Sequence, residues 1–361
     1  MDGPSTVVFV FGAADVAANL ELRAALRELR SFFGQSVIVG CSTAGEIHGT
    51  RIHDDGFSVA VMRLERSRAA FASAAVAPGR SFEAGERIAS ELARNDLRSV
   101  HIFSDGLGIN GSELVRGLNS RLPCEVVATG GLAADGSRFA RTWVLERGIP
   151  KEHVVTAVGL YGNALRATHG SRGGWDIFGP ERRVTRSEAN VLYELDGKPA
   201  LELYKRYLGD RAAGLPSTAL LFPLALRTSK DDRKTLVRTV LSVDEATNSM
   251  TFAGDVPTGA LAQLMHANFD RLIEGASSAA LATATERGAV ESLTIAVSCV
   301  GRRLVLGERA EEEVEAVFSA LSQPTNLVGF YSYGEISPYA TGHCDLHNQT
   351  MTLTTLWEDA A

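Results

Sequence analysis

Gly40-Cys-Ser-Thr-Ala-Gly-Glu-Ile47, near the start of the chain, is matched near its end by Gly329-Phe-Tyr-Ser-Tyr-Gly-Glu-Ile336, each directly after an apolar, strand-like run. The first copy follows a strand (7–11), a helix (20–33) and a second strand (36–40); the second follows a strand (293–297), a helix (311–321) and a strand (326–329). A weaker third copy runs from Val100 through a helix (112–122) to Glu125-Val-Val-Ala128 and Gly130-Gly-Leu-Ala-Ala-Asp135. From strand to glycine the distance is 32 positions for Val8 to Gly40, 30 for Val100 to Gly130 and 34 for Ile295 to Gly329. A recurrent period of this size marks a duplicated supersecondary unit. The helices carry single apolar stripes, Leu22, Ala25, Leu26, Leu29, Phe32 and Phe33 in one and Val314, Val317, Phe318 and Leu321 in another, so each packs one face on a sheet.

The turn itself has a physical reading. Glycine supplies positive φ and lets the backbone approach a ligand or another strand, so two glycines five apart bracket a tight, exposed connection. Successive amides in such a turn form an anion-binding nest, while Glu46 and Glu335 can accept hydrogen bonds from an amine. A turn with both features suits a zwitterion. The competing reading is that each Gly-Glu-Ile closes a β-turn, its glutamate satisfying backbone amides. No Lys-Ser or Lys-Thr follows the second glycine, so neither turn is a nucleotide P-loop.

Outward from the signatures, 57–64 and 69–76 read as antiparallel strands around a charged turn, and 82–94 as a helix into the second repeat. The stretch 168–180 reads as a long glycine-rich loop anchored by Trp175, which pins the loop to the core or walls a pocket. A helix (199–208) ends at Gly209, and Gly214-Leu-Pro216 makes a boundary between domains 1–216 and 217–361. The second domain opens with 219–226, a hairpin of 236–243 with 250–252 through Asn248, and a helix over 258–274. In the last strand, 346–356, alternation puts His347, Gln349, Met351 and Leu353 on one face. The expected fold is α/β to α+β, repeated β-α-β-turn units forming mixed sheets with packed helices in two domains.

With 361 residues the chain can bury a large core, and 45% apolar with 22% charged residues is ordinary for a globular protein. A net charge of −7 without a long Lys/Arg cluster argues against nucleic acid as a partner. The N-terminal residues lack a signal-peptide pattern and no stretch reaches the roughly 18 apolar residues that span a bilayer, so a cytoplasmic protein is expected. Cys41, Cys124, Cys299 and Cys344 lie far apart without Cys-x-x-Cys spacing, which points to free thiols and no structural zinc site.

Six motifs in order carry a resemblance: Gly40-Cys-Ser-Thr-Ala-Gly-Glu-Ile47, Gly173-Gly-Trp175, the Glu194-Leu-Asp-Gly-Lys-Pro-Ala-Leu201 stretch, Ser298-Cys-Val-Gly-Arg302, Gly329-Phe-Tyr-Ser-Tyr-Gly-Glu-Ile336 and Leu346-His-Asn-Gln-Thr350. Together they resemble the FIST family over nearly the whole chain, an N-terminal FIST domain followed by a FIST C-terminal domain. The resemblance implies an intracellular sensory module of signal transduction that binds small ligands such as amino acids. It implies a separate output partner, a histidine kinase or a cyclic-dinucleotide enzyme, as for the stand-alone nitric-oxide-sensing members known as NosP, which bind haem. Carried over by motif, the ligand-binding candidates are Cys41, Ser42, Thr43, Gly45, Glu46, Arg302, Tyr331, Tyr333, Gly334 and Glu335, with Arg302 suited to a bidentate grip on a carboxylate. For haem, His347 is the first axial candidate, with His343, His48 and His266 as alternatives. An enzyme with Cys41 as nucleophile and His48 or His53 as base is the third reading; it is weakened because Phe330 and Gly131 stand at the equivalent positions of the other copies.

Overall fold

A computed structural model describes residues 2–229, 235–284, 290–339 and 342–359. The chain begins with β1 (Thr6–Ala13), α1 (Leu20–Phe32), β2 (Val37–Thr43), a short hairpin of β3 (Glu46–His48) and β4 (Arg51–His53), and strands β5 (Phe57–Arg63) and β6 (Arg68–Ala75). Helix α2 (Ser81–Leu92) leads to β7 (Leu97–Ser104), α3 (Gly111–Asn119), β8 (Val127–Leu132), a second hairpin of β9 (Val144–Glu146) and β10 (Ile149–Lys151), then β11 (Val154–Tyr161) and β12 (Leu165–Arg172). A lobe follows, built from β13 (Asp176–Glu188), β14 (Val191–Leu195), β15 (Lys198–Pro199), α4 (Ala200–Leu208), β16 (Leu224–Arg227), β17 (Leu236–Arg238), β18 (Val240–Asp244), β19 (Ser249–Phe252) and β20 (Leu261–His266). Helix α5 (Phe269–Ala282) returns to β21 (Ser292–Cys299), α6 (Val300–Leu306), α7 (Ala310–Ala320), β22 (Thr325–Ser332), a third hairpin of β23 (Gly334–Pro338) and β24 (Cys344–His347), and β25 (Met351–Glu358). Asparagine side chains at 19, 110 and 268 accept from first-turn amides and start α1, α3 and α5.

The repeats become three sheets, ordered β10-β9-β2-β1-β5, β24-β23-β8-β7-β11-β6 and β12-β25-β21-β22-β3-β4. Each has one parallel pair, β1/β2, β7/β8 or β21/β22, with an antiparallel neighbour, β5, β11 or β25. The hairpin after each signature turn leaves its own sheet. β3-β4 joins β22, β9-β10 joins β2 and β23-β24 joins β8, so each unit completes another unit's sheet. Phe11, Phe103 and Phe330, one from each sheet, meet with ring centroids 4.8 to 6.2 Å apart in the apolar core that the three sheets enclose. The outer faces carry α1 on the first sheet, α2 and α3 on the second, and α5 with α7 on the third. A fourth sheet, β17-β16-β20-β13-β14-β19-β18, packs on α4 as a separate lobe.

This architecture explains the first glycine of each signature. A Cβ at Gly40, Gly130 or Gly329 would overlap the carbonyl oxygen of Val10, Ile102 or Ala296 on the neighbouring parallel strand. The glycine is required by the approach of another strand, not by an exposed turn.

Several local expectations are corrected. The strands 57–64 and 69–76 do not pair with each other: β5 pairs with β1 and β6 with β11, because the charged turn carries the chain from one sheet to the next. The stretch 168–180 is not a long loop; β12 pairs with β25 through Arg172, β13 starts at Asp176, and only the short Gly173-Gly-Trp175 connection remains. Trp175 is buried there and its Nε1 donates to the carbonyl of Gln349 at 2.9 Å, which pins that connection. Within 258–274, Leu261–His266 is a strand between β13 and β16, and the helix begins only after Asn268, whose side chain accepts from the amide of Arg271. The final run is two strands in different sheets, since Gln349 at φ 64 breaks it between β24 and β25. Residue 216 lies between short helical turns, yet strands from both sides of it share all but the first of the four sheets.

Candidate functional site

Glu46 and Glu335 occupy equivalent positions, and both are fully buried. Glu46 accepts from the hydroxyl of Thr43 and at 3.5 Å from the amide of Gly56. Glu335 accepts from Ser332 Oγ at 2.8 Å, from the Thr350 amide at 3.1 Å and from Thr350 Oγ1 at 2.9 Å. In both turns a hydroxyl three residues earlier meets the carboxylate, so the glutamates close their own turns and do not face solvent. Burial pushes Glu46 up to about 7 and Glu335 up to about 8, against the hydroxyl and amide donors that favour the charged form. In the second unit Ala133 stands where Thr43 and Ser332 stand, and Asp135 takes over the turn, accepting from the amides of Phe139, Ala140 and Arg141 at 2.9 to 3.0 Å.

Helix α6 braces both glutamate turns. Arg302 is fully buried and paired with Glu313 at 2.5 Å; its remaining donors reach the carbonyls of Gly173, Gln349 and Leu272. Its guanidinium is committed to the protein, so Arg302 ties four segments to α6 instead of offering a fork to a ligand carboxylate. Arg303, which motif matching passed over, holds Asp54 through two nitrogens, donates to the carbonyl of Ala44 in the first signature turn and lies 5.5 Å over the ring of Tyr331. Its adjacency to Arg302 was the available signal.

The other candidates separate. Cys41 lies in the apolar core with Phe11 and Phe330, and burial pushes its thiol far up, while His48 and His53 are exposed on the β3-β4 hairpin; no nucleophile-base pair forms. Ser42 accepts from the amide of Trp143 at 3.0 Å, and Tyr331 donates to Glu313 at 3.1 Å. Gly45, at φ 132, lies under Arg303. His347 is buried with Nε2 3.0 Å from the carbonyl oxygen of Ser337, an acceptor only, so that nitrogen carries the proton and is not offered to iron. Its ring stacks on Tyr339. His343 and His48 are exposed, and His266 lies half-buried beside Phe178. Nε2 of His347, the first axial candidate, is therefore not open to a haem iron, whereas His48 lies on the wall of a groove of about 730 Å³ with Val59, Val61, Leu293 and Val328.

Tyr333 and Gly334 lead to a cavity. About 170 Å³ in volume, it lies between the 106–111 loop, Leu132, Phe139 and Tyr333 on one side and Asn190, Leu241 and 252–254 on the other. The Tyr333 hydroxyl donates to Asp135 and lies 2.9 Å from the carbonyl of Gly136, and its ring stacks on Phe139 at 4.5 Å. Phe139 is 45% exposed and sits at φ 49, held there by Asp135, so an aromatic cover lies over the tyrosine at a backbone angle unusual for such a residue. The backbone amides of Gly108 and Ile109 have no acceptor among the described residues, and consecutive free amides suit an anionic group. Beside Gly334 lies Asn348, 1% exposed, with neither its Oδ1 nor its Nδ2 bonded to a protein group. Buried amides are otherwise almost always satisfied, by protein, water or ligand, and this one lies outside the lining of the cavity.

Among known proteins, a model of the FIST N domain matches residues 6–198 and one of the FIST C domain residues 200–338. The uncharacterized protein MJ1623 of Methanocaldococcus jannaschii is 28% identical over 184 residues, 47% of this chain and 34% of that protein, so the match spans about a third of that relative's length. The crystal structure of a cyanuric acid hydrolase from A. caulinodans aligns over 98% of this chain and 90% of its own, at 9% identity and a TM-score of 0.38. A likeness that remote says nothing about activity.

Proposed function

This chain belongs to the FIST family, and from that premise we propose that it is a sensor whose small ligand occupies the cavity beside Tyr333. FIST domains are small-ligand sensor domains of signalling proteins. The observation that carries the reading is the origin of the cavity walls. The 106–111 loop, Leu132, Phe139 and Asn190 come from the FIST N segment, and Leu241, 252–254 and Tyr333 from the FIST C segment. A ligand there touches both segments at once and favours whichever arrangement it fits better, which is the thermodynamic requirement of a sensor.

About 170 Å³ is below the roughly 300–1,000 Å³ of drug-sized sites and suits a molecule of amino-acid size. The free amides of Gly108 and Ile109 favour a carboxylate, and the signal passes to a separate cytoplasmic partner, a histidine kinase or a cyclic-dinucleotide enzyme. No turnover belongs to this reading, because the buried thiol of Cys41 has no base beside it. Among the described residues no helix is long and apolar enough to cross a membrane.

A calorimetric and thermal-shift screen of amino acids and small carboxylates tests the proposal. At least one compound is expected to bind saturably, and Ala253→Phe, which fills the cavity, is expected to abolish that binding without loss of fold. Asn348→Leu removes an unpaired buried amide outside the cavity lining, so it is expected to keep or raise stability and leave the ligand bound. Binding indifferent to Ala253→Phe sinks the site; a stoichiometric Soret band lost in His347→Ala replaces the metabolite by haem.

A further inference from the structure

The exchange of hairpins sets a helix beside a hairpin three times, α3 beside β24, α7 beside β4 and α1 beside β10. Two of these junctions are closed by direct bonds. Asn119 donates to the carbonyl of Cys344 at 2.8 Å, and Arg51 reaches Glu311 at 3.1 Å. The third holds a groove of about 480 Å³, within the range of small-molecule sites.

Its lining is cationic. Arg23, Arg27 and Arg30 stand at i, i+4 and i+7, one stripe of α1 about 10 Å long. All three are exposed, and none has a hydrogen-bond or ion-pair partner among the described residues. Arg141 and Lys151 face them from the other wall. Glu152, the acidic group in the lining, is already paired with Arg141 at 2.5 Å. The floor is apolar, with Trp143 and Leu26 buried beneath the charges. One end is closed by the turn of the hairpin, where a Cβ on Gly148 would lie 3.4 Å from Cγ and Cδ of Arg30.

Like charges at i and i+4 oppose helix formation, and a solvated helix face does not require further cations on the opposite wall. In a chain of net charge −7, three unpaired arginines facing Arg141 and Lys151, which are paired with Glu152 and Glu146, mark a site for negative charge. Arginine forks match phosphate oxygens two at a time, and a stripe of three spans more than one phosphoryl group. We infer that the groove between α1 and the β9-β10 hairpin binds a small organic polyphosphate, its phosphoryl groups on the arginines of α1 and its apolar or ring portion against Trp143. The site shares no residue with the cavity beside Tyr333 and stands independently of it.

The test is isothermal titration of the full chain with inorganic tripolyphosphate, ATP and citrate at two salt concentrations. Tripolyphosphate and ATP are expected to bind saturably, more weakly at higher salt. The double variant Arg23→Ala/Arg27→Ala is expected to weaken both by about tenfold or more at unchanged melting temperature. Should that variant not fold, the single charge reversal Arg27→Glu is expected to show the same loss. Ala253→Phe is expected to leave this binding intact, which separates the groove from the other cavity. Absence of saturable binding of tripolyphosphate and ATP in the millimolar range, an affinity unchanged in the arginine variants, or tighter binding of citrate than of either phosphate overturns the assignment.

Discussion

Glu335 shows how burial changes the meaning of a repeated residue. Its carboxylate was legible as part of Gly-Glu-Ile, but its partners, Ser332 and Thr350, come from the turn and from the connection between β24 and β25. An unfolded glutamate titrates near 4.5, whereas in the fold Glu46 is raised to about 7 and Glu335 to about 8. Between those limits the native state holds protons that the unfolded chain has released. Stability therefore falls as pH rises through this window, by up to about 1.4 kcal/mol per pH unit for each carboxylate. The urea midpoint is expected to be higher near pH 6 than near pH 8.5, and Glu335→Gln to flatten the slope. A midpoint that stays flat over the same range would show that these carboxylates are already ionised in the fold. Arg302 makes the complementary point: its motif was legible, its role was not, because its partners Gly173, Gln349 and Leu272 are remote in sequence.

Periodicity identified the helices and the strands of the β-α-β units, because each presents an apolar stripe or run to a sheet. It failed where strands change sheets. The alternation of 346–356 continues through Asn348 and Gln349, and nothing in it announces that Gln349 takes a left-handed conformation and hands the chain to another sheet. The stretch 261–266 has an apolar pattern short enough to pass for helix, and only pairing with β13 and β16 makes it a strand. The helices also differ in how firmly they are held. Among the residues of α1 only Leu26 is fully buried, whereas α2 buries Ala84, Ile88, Ala89 and Leu92 among others. Hydrogen exchange is accordingly expected to be faster in α1 than in α2 and α3, and to slow in α1 when a polyphosphate occupies the adjoining groove. Equal protection of α1 and α2 without ligand would contradict this account.

At the scale of the molecule, the sheets refuse the division that the linear order suggests. The third sheet takes β3, β4 and β12 from before residue 216 and β21, β22 and β25 from after it, and the second sheet ends in β23 and β24 from the far side. Fragments 1–216 and 217–361 expressed separately are expected to lack cooperative unfolding, because each leaves unpaired strand edges and half of an apolar core. Co-expression is expected to restore a single transition, and an independently folded 1–216 fragment would refute the interleaving as a stability requirement. The sequence by itself determined the repeated unit, its helices and its parallel strands, because these follow from local periodicity and turn chemistry, and its ordered motifs carried the resemblance to the FIST domains. Only the tertiary structure decided where each hairpin docks, why Gly40, Gly130 and Gly329 must be glycine, that Glu46, Glu335 and Arg302 are enclosed, and that Tyr333 and the stripe of Arg23, Arg27 and Arg30 border cavities. Those outcomes depend on which other segment of backbone lies alongside, and contacts between different elements leave no trace in a local pattern.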